Sequence, residues 1–307
     1  MTDAESSVRP APPPLPILRS ALGGILMGLA NLVPGISGGT MILVVGLYNE
    51  FITALADVTR LRFSKRSVIF LAIVAGGAAI AILTLAGTLS RAVTLHRSAM
   101  FSLFIGLTLG GAPLLMRMLK RFDRSSGIGL LLGLGIMTTL AATNPPRPQE
   151  APFKEAVVSG EFVIEPSYGR DLAAGALGMS AMVLPGISGA YMFLILGRYE
   201  AILASIDAAK EVATSWSQPG GETAFLHVLI PVGLGAGLGL VLLSNLLKWV
   251  LHRHQKVTVA ILLGILIGSV IGIWPFDATA TAGDYVLGAS LAAAGFATTM
   301  LLSRLNA

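Results

Sequence analysis

The sequence Pro-Gly-Ile-Ser-Gly occurs twice in this chain, at residues 34–38 and 185–189. Proline interrupts a helix, and serine is a preferred residue at a helix N-cap. Each copy therefore predicts a broken helix whose second part begins at Ser37 or Ser188. The first N–H groups of a helix have no intrahelical acceptor and lie at the positive end of the helix dipole. Two such loops predict a binding site for an anion such as a phosphate or a carboxylate.

The motif lies inside a longer internal repeat. Residues 30–48 and 181–199 align without a gap and are identical at ten of nineteen positions. A weaker likeness continues beyond both segments, so the chain divides into two similar halves. We place the first half at 20–142, the second at 171–303, and a polar connector between them at 143–170.

The composition indicates a membrane protein. Of the 307 residues 54% are hydrophobic and 12% are charged, and the mean hydropathy is +0.79. A soluble protein carries about a quarter charged residues, so this chain has too few polar groups to cover a globular surface. The net charge is +5, but the basic residues stand in short loops between apolar runs, which is typical of membrane topology rather than of nucleic-acid binding. The absence of cysteine excludes disulfides and thiol chemistry.

Ten apolar runs are predicted to be helical, and they lie at 20–33, 38–56, 67–90, 99–116, 127–142, 171–184, 189–206, 223–247, 258–274 and 285–303. The runs 20–33 and 171–184 each extend about 21 Å, which is less than a hydrocarbon core of about 30 Å. Because both end at the repeated motif, we expect two re-entrant hairpins, at 20–56 and 171–206. The expected fold is an all-α polytopic membrane protein with two repeats, each a hairpin followed by three transmembrane helices.

The charges in the loops predict that the two halves are inverted with respect to one another. Basic clusters around residues 60–66, 117–124 and 248–256 are placed in the cytoplasm by the positive-inside rule. The acidic connector then lies on the other side, and both termini are cytoplasmic. The proline-rich residues 1–19 are expected to form a disordered tail. Facing half-helices at the centre of inverted repeats are a recurrent design in transporters.

Both copies of the motif, with the residues that follow them, resemble the two signature hairpins of the PopT-type polyprenyl-phosphate transporter family. The first reads NLVPGISGGT followed by GLYNEF, and the second reads AMVLPGISGAY followed by GRYEAI. The resemblance covers nearly the whole chain from Ser20 onwards. It implies a flippase of the bacterial cytoplasmic membrane that returns undecaprenyl phosphate from the outer to the cytoplasmic leaflet for recycling in cell-envelope glycan synthesis.

The resemblance also assigns candidate substrate-binding residues by position. They are Asn31, Gly35, Ser37, Gly38, Gly39, Thr40, Gly186, Ser188 and Gly189. Ala190 departs from the pattern, because a small hydroxyl residue is more usual there, which puts a hydroxyl contact from that position in doubt. Glu50 and Glu200 match the acidic position after each motif, with Glu50 one residue further on. They are candidates for a proton or headgroup relay, and the alternative is that they are interfacial carboxylates at helix ends.

Arg198 replaces Leu47 of the first half and is a further candidate for the substrate site. A guanidinium can bind a phosphate with two parallel hydrogen bonds, whereas the alternative is a side chain that snorkels to the interface. We expect the partners to be a polyprenyl-phosphate lipid and membrane lipids, without nucleic acid. No catalytic residue, cofactor or metal ion is expected, and coupling to protons or ions stays open, as does the oligomeric state.

Two other functions are left open by the residues. An undecaprenyl-pyrophosphate phosphatase has a similar architecture and a Pro-Gly-x-Ser motif, but its serine is followed by arginine, where this chain has Gly38 and Gly189. Its paired glutamates have a counterpart only in Glu161 and Glu165 of the connector. An inorganic-anion channel or exchanger would use the same helix ends, and the sequence separates this function poorly from lipid transport.

Overall fold

The computed structural model describes residues 16–31, 37–119, 121–143, 167–199, 201–202, 204–206, 209, 224–276 and 280–304, and no strand occurs among them. Six helices in these ranges are long and apolar enough to cross a membrane: Lys65–Leu85, Arg97–Leu119, Arg124–Thr143, Phe225–Arg253, Gln255–Gly272 and Ala282–Arg304. Each corresponds to one of the six predicted spans, which confirms a polytopic all-helical membrane protein. The predicted tail before residue 16, most of the connector, Gly35 and Glu200 lie outside the described residues.

The first half contains α1 (Ile17–Asn31), α2 (Gly38–Val44), α3 (Tyr48–Thr59), α4 (Lys65–Leu95), α5 (Arg97–Leu109), α6 (Ala112–Leu119) and α7 (Arg124–Thr143). The second half contains α8 (Tyr168–Val183), α9 (Gly189–Ile195), α10 (Ala224–Arg253), α11 (Gln255–Gly272) and α12 (Ala282–Arg304). The short arms α1 and α8 each begin three residues before the predicted start. At 15 and 16 residues they extend about 23 Å, still less than a bilayer core.

Three predicted helical runs are interrupted, which corrects the sequence analysis. The run 38–56 divides into α2 and α3 because Gly46 adopts a φ of 75°, and the run 189–206 is broken in the same way at Gly197, with a φ of 65°. In both breaks the residue after the glycine donates its N–H to a carbonyl oxygen five residues earlier, at 3.1 and 2.9 Å. This helix-ending pattern favours glycine. The run 99–116 divides into α5 and α6.

The helices pack against one another in the same pattern in both halves. The short arm α1 packs along α4, and α8 packs along α10. The last helix of each half packs on a helix of the other half, α7 on α11 and α12 on α5. A Cβ atom at Gly28 would lie 2.5 Å from the carbonyl oxygen of Ala78, and one at Gly239 would lie 2.1 Å from that of Ala176. Glycine therefore lets these helix backbones touch, as the glycine-rich runs predicted.

The largest apolar cluster joins the two halves. Its buried residues include Ile42 of α2, Phe51 of α3 and Phe70 of α4, and also Leu263 and Leu266 of α11. This packing holds the segment that follows the first motif against the second half. Burial of large side chains from both halves in one cluster fixes the position of the two motifs relative to one another.

Candidate functional site

The two repeated loops contact each other directly. The Ser37 hydroxyl donates to the carbonyl oxygen of Leu184 at 2.7 Å, and the N–H of Gly186 donates to the Thr40 hydroxyl at 2.9 Å. Ser37 is 2% exposed and Thr40 is fully buried, so these bonds lie in the interior of the protein. These two hydrogen bonds join the two loops directly. Pro34 and Gly35 lie outside the described residues.

Ser37 caps α2 as the motif predicted. Its backbone is extended, with φ −97° and ψ 125°, and its side-chain oxygen accepts the N–H of Thr40 at 3.4 Å. The same hydroxyl thus accepts within its own loop and donates to the other loop. Ser188 stands immediately before α9 at the matching position, is 5% exposed, and its carbonyl oxygen accepts the N–H of Met192 at 3.2 Å. Both serines begin a helix inside the protein.

The glycines of the motif have packing roles in this arrangement. A Cβ atom at Gly38 would lie 2.8 Å from Cγ of Met27 and 2.9 Å from Oδ1 of Asn31, both on α1. At the matching position, a Cβ atom on Gly189 would lie 2.6 Å from Cγ of Met182 on α8. The last glycine of each motif therefore lets a short helix lie against the arm of its own hairpin. Its approach to a ligand stays a prediction.

Gly39 and Gly186 both lie at the contact between the two loops. A Cβ atom at Gly39 would lie 2.9 Å from the carbonyl oxygen of Val183, the last residue of α8 in the second half. Gly186 has a φ of 88°, a backbone conformation that residues with a side chain rarely adopt. A Cβ atom at this position would lie 2.7 Å from the Cα atom of Leu266. Tyr48 adds a hydrogen bond from its hydroxyl to the Val183 carbonyl oxygen at 3.3 Å.

Asn31 lies beside the first motif and has no polar counterpart beside the second. Its side-chain amide adjoins Gly38, at the N-terminus of α2. Met182 takes the corresponding place next to Gly189. The polar surroundings of the two helix starts therefore differ, with an amide on one side and a thioether on the other.

Arg198 is buried and paired rather than exposed at an interface. Its Nη2 atom donates to Oδ2 of Asp171 at 3.0 Å, and its Nε atom donates to the other carboxylate oxygen. The side chains of Arg198 and Asp171 are only 7% and 0% exposed. This corrects the alternative of a snorkelling arginine. Asp171 was not among the predicted site residues, although an acidic residue at the start of an apolar arm is a signal that could have identified it.

Glu50 also has a partner, in a polar cavity at the other end of the first hairpin. Its Oε1 atom accepts hydrogen bonds from Nε and Nη2 of Arg66, at 3.0 and 2.9 Å. The cavity has a volume of about 380 Å³ and is also lined by Asp57 and Ser67. Asp57 in turn accepts a hydrogen bond from Nζ of Lys248 at 2.9 Å, and this ion pair joins α3 to α10.

An open apolar groove of about 490 Å³ lies between α8 and α10 and was not predicted. Leu172, Ile230 and Leu234 line it, and at one end the Tyr168 hydroxyl is 3.1 Å from Nδ1 of His227. A histidine within a predicted span is a signal that sequence reasoning could have used.

Six spans, two short arms and two joined polar loops define this chain as a multi-pass helical membrane protein with a polar centre. It belongs to the undecaprenyl phosphate translocase-like family, whose sequence model matches residues 27–289. It is 28% identical over 277 residues to the polyprenyl-phosphate transporter of Vibrio cholerae serotype O1, with 85% of this chain and 79% of that protein covered. It is 27% identical over 257 residues to the polyprenyl-phosphate transporter of Staphylococcus aureus, with 83% and 85% covered. No solved structure matches this chain significantly.

Proposed function

We propose that this protein is a transporter that moves polyprenyl phosphate across the bacterial cytoplasmic membrane, from the outer to the cytoplasmic leaflet. The observation that carries the proposal is the direct contact of the two repeated loops through Ser37 and Leu184 and through Thr40 and Gly186. The printed names of the relatives supply the substrate class, and the family description supplies the undecaprenyl chain. Return of the lipid to the cytoplasmic leaflet would serve its reuse in envelope glycan synthesis.

The proposal includes an inverted arrangement of the halves. It is supported by the matched helix pairing, in which each short arm lies on the long helix of its own half and each last helix lies on the other half. It is also supported by the length of α1 and α8, which is too short for a full crossing. The re-entrant arms would then bring both motifs to the middle of the bilayer from opposite sides, with both termini in the cytoplasm.

The phosphate headgroup would bind where the two loops now bind each other. Phosphate oxygens accept hydrogen bonds, so they can replace the Leu184 carbonyl as the acceptor for Ser37 and the Thr40 hydroxyl as the acceptor for Gly186. The starts of α2 and α9 add N–H groups and positive dipole ends. The remaining proposed contacts come from Asn31, Gly35, Gly38, Gly39, Ser188 and Gly189.

In this proposal, the headgroup separates the two loops by replacing the hydrogen bonds between them. The loops stay joined while the site is empty, which closes the polar centre to water and ions. A bound phosphate would separate the loops because it takes over their donors. The prenyl chain would meanwhile stay in lipid, along a surface such as the groove between α8 and α10. Glu50 and Arg66 would receive the headgroup at the cytoplasmic end or exchange protons there.

The experiment that tests this function uses purified protein in liposomes that carry a fluorescent short-chain polyprenyl monophosphate. An impermeant quencher measures how much of the lipid has moved to the inner leaflet. We expect movement that depends on the protein and on the phosphate, while the protein should not accelerate the movement of the matching prenol. Release of inorganic phosphate would instead support a phosphatase, and chloride flux without lipid movement would support an anion channel.

A further inference from the structure

The buried ion pair between Asp171 and Arg198 stands outside the two motifs. Arg198 uses its Nε and Nη2 atoms as a fork on the two carboxylate oxygens of Asp171. Asp171 also accepts the backbone N–H of Ser167 at 3.0 Å, in the first turn of α8. Charged side chains in membrane segments are costly, and those that persist there are commonly functional.

The first half of the chain shows that the fold does not require these charges. An offset of 151 residues relates the aligned segments, and α1 and α8 begin at matching positions, Ile17 and Tyr168. By this offset Ser20 corresponds to Asp171, and Leu47 corresponds to Arg198. Ser20 is fully buried and Leu47 is 5% exposed, so the same places in the fold are filled without charge.

The backbone at these places is also the same in both halves. The N–H of Ser20 donates to the carbonyl oxygen of Pro16 at 2.8 Å, and the N–H of Asp171 donates to that of Ser167 at 2.8 Å. Leu47 and Arg198 each follow a glycine of positive φ and each donate an N–H to a carbonyl oxygen five residues earlier. The main-chain hydrogen bonds that both halves share therefore do not explain the charges. Asp171 accepts one further main-chain bond, from the N–H of Ser167, where the first half has Pro16 without an N–H. Among the described residues, no main-chain bond found only in the second half accounts for the charge of Arg198, whose place Leu47 fills in the first half.

We infer that Asp171 and Arg198 form an exchange site for the phosphate headgroup, in which the phosphate replaces Asp171 on the guanidinium of Arg198. This inference rests on the proposed function. Arg198 is the binding residue, because its fork fits two phosphate oxygens as it fits two carboxylate oxygens. Asp171 is a positioning residue that holds the fork in place and balances its charge while the site is empty. A phosphate monoester carries between one and two negative charges and can displace a single carboxylate.

The position of the ion pair between Asp171 and Arg198 indicates at which step of transport it would bind the headgroup. Arg198 follows α9, whose seven residues extend about 10 Å from the second motif. In the proposed inverted arrangement this is the outward side of the loop contact, where the lipid enters. At the matching place of the first half, which this arrangement puts on the cytoplasmic side, the residue is Leu47, so the first half has no corresponding exchange site. A headgroup would be held by Arg198 first and by the joined loops afterwards.

The test transplants the first half's residues into the second half, as the double variant Asp171→Ser with Arg198→Leu. We expect a protein that inserts into the membrane and melts like the wild type, because Ser20 and Leu47 fill the matching buried positions of the first half. Its affinity for a short-chain polyprenyl monophosphate should fall by about tenfold or more, while its affinity for the matching prenol should not change. Lys256→Gln, which removes an exposed ion pair with Asp123, is the matched control and should behave like the wild type.

The single variant Asp171→Asn separates positioning from binding. It removes the competing carboxylate but keeps Arg198, so the monophosphate should bind more tightly and be released more slowly, lowering both the apparent KM and kcat of transport. The Arg198→Lys variant keeps one charge without the fork and should bind with intermediate affinity.

The inference is overturned if the double variant binds and transports the monophosphate like the wild type. It is also overturned if the double variant fails to fold while the Lys256→Gln control folds, because the charges would then be structural. If the wild type itself moves no polyprenyl phosphate, the proposed function fails, and this result is distinct from a failure of the exchange site alone.

Discussion

The hydroxyl of Ser37 donates a hydrogen bond of 2.7 Å to the carbonyl oxygen of Leu184, which lies 147 residues later in the chain. Ser37 belongs to the first copy of the motif, and Leu184 immediately precedes the second copy, in the other half. The bond therefore depends on how the two halves pack together, and not on the conformation of one loop. It also occupies a donor that a phosphate headgroup would need.

We predict that Thr40→Val destabilises the protein by about 1–3 kcal/mol, because valine leaves the buried N–H of Gly186 without its acceptor. The measurement is the free energy of unfolding in detergent. Thr138→Val is the matched control, since the Thr138 hydroxyl bonds to a carbonyl oxygen of its own helix and is exposed. Equal stability of the two variants would contradict the buried bond between the loops.

Alanine at the last glycine of each motif should destabilise unequally. At Gly189 the new Cβ atom would meet the backbone carbonyl oxygen of Gly178 at 2.7 Å as well as the Met182 side chain, and a backbone atom cannot move aside easily. At Gly38 the nearest contacts are side-chain atoms of Met27 and Asn31, which can shift. We expect a cost of about 1–3 kcal/mol for Gly189→Ala and a smaller cost for Gly38→Ala.

The control for the glycine variants is Gly76→Ala in α4, where a Cβ atom would meet nothing within 4 Å. Thermal unfolding of the three variants in the same detergent measures the effect. If Gly189→Ala were as stable as Gly76→Ala, the contact between α9 and α8 would be looser than described.

Asp123, in the loop before α7, predicts a loss of stability in acid. Hydrogen bonds from the Ser125 hydroxyl and from the N–H and hydroxyl of Ser126, with a further one from Lys256, lower the pKa of Asp123 well below its ordinary value of 3.8. A lowered pKa in the folded state means that the ionised form stabilises the fold above pH 3.8. This stabilisation is lost as the pH falls through the lower, folded pKa.

The melting temperature of the wild type should therefore fall on acidification below pH 3.8 more steeply than that of Asp123→Asn, which lacks the titrating group. Both are measured across the same series of buffers at constant ionic strength. If the melting temperatures of the two proteins fell in parallel with pH, the hydrogen bonds to ionised Asp123 would not stabilise the folded state.

The six spans and the N-cap at Ser37 could be predicted because they follow from local signals. Hydrophobic length identifies spans, the Pro-Gly-x-Ser pattern identifies a helix start, and the repeat relates the two copies. The breaks at Gly46 and Gly197 also had a signal in the sequence, because glycine often ends a helix. The apolar sequence continues on both sides of each glycine, however, and this favoured the prediction of one unbroken helix.

The partners of Arg198 and Glu50 could not be predicted from spacing, because each ion pair joins separate helices. Asp171 lies 27 residues before Arg198, and Arg66 lies 16 residues after Glu50. Only the packing of α8 beside α9 and of α4 beside α3 brings these charges together. The bond between Ser37 and Leu184 likewise depends on the pairing of the two halves.

The most direct measurement of the central claim is transport by Ser37→Cys plus Leu184→Cys, before and after mild oxidation. The natural chain has no cysteine, so no native thiol competes with the introduced pair. If the headgroup passes by separating the two loops, the oxidised protein should stop moving polyprenyl phosphate and a reductant should restore movement. Bound monophosphate should also slow the cross-linking. Undiminished transport by the fully cross-linked protein would contradict the account.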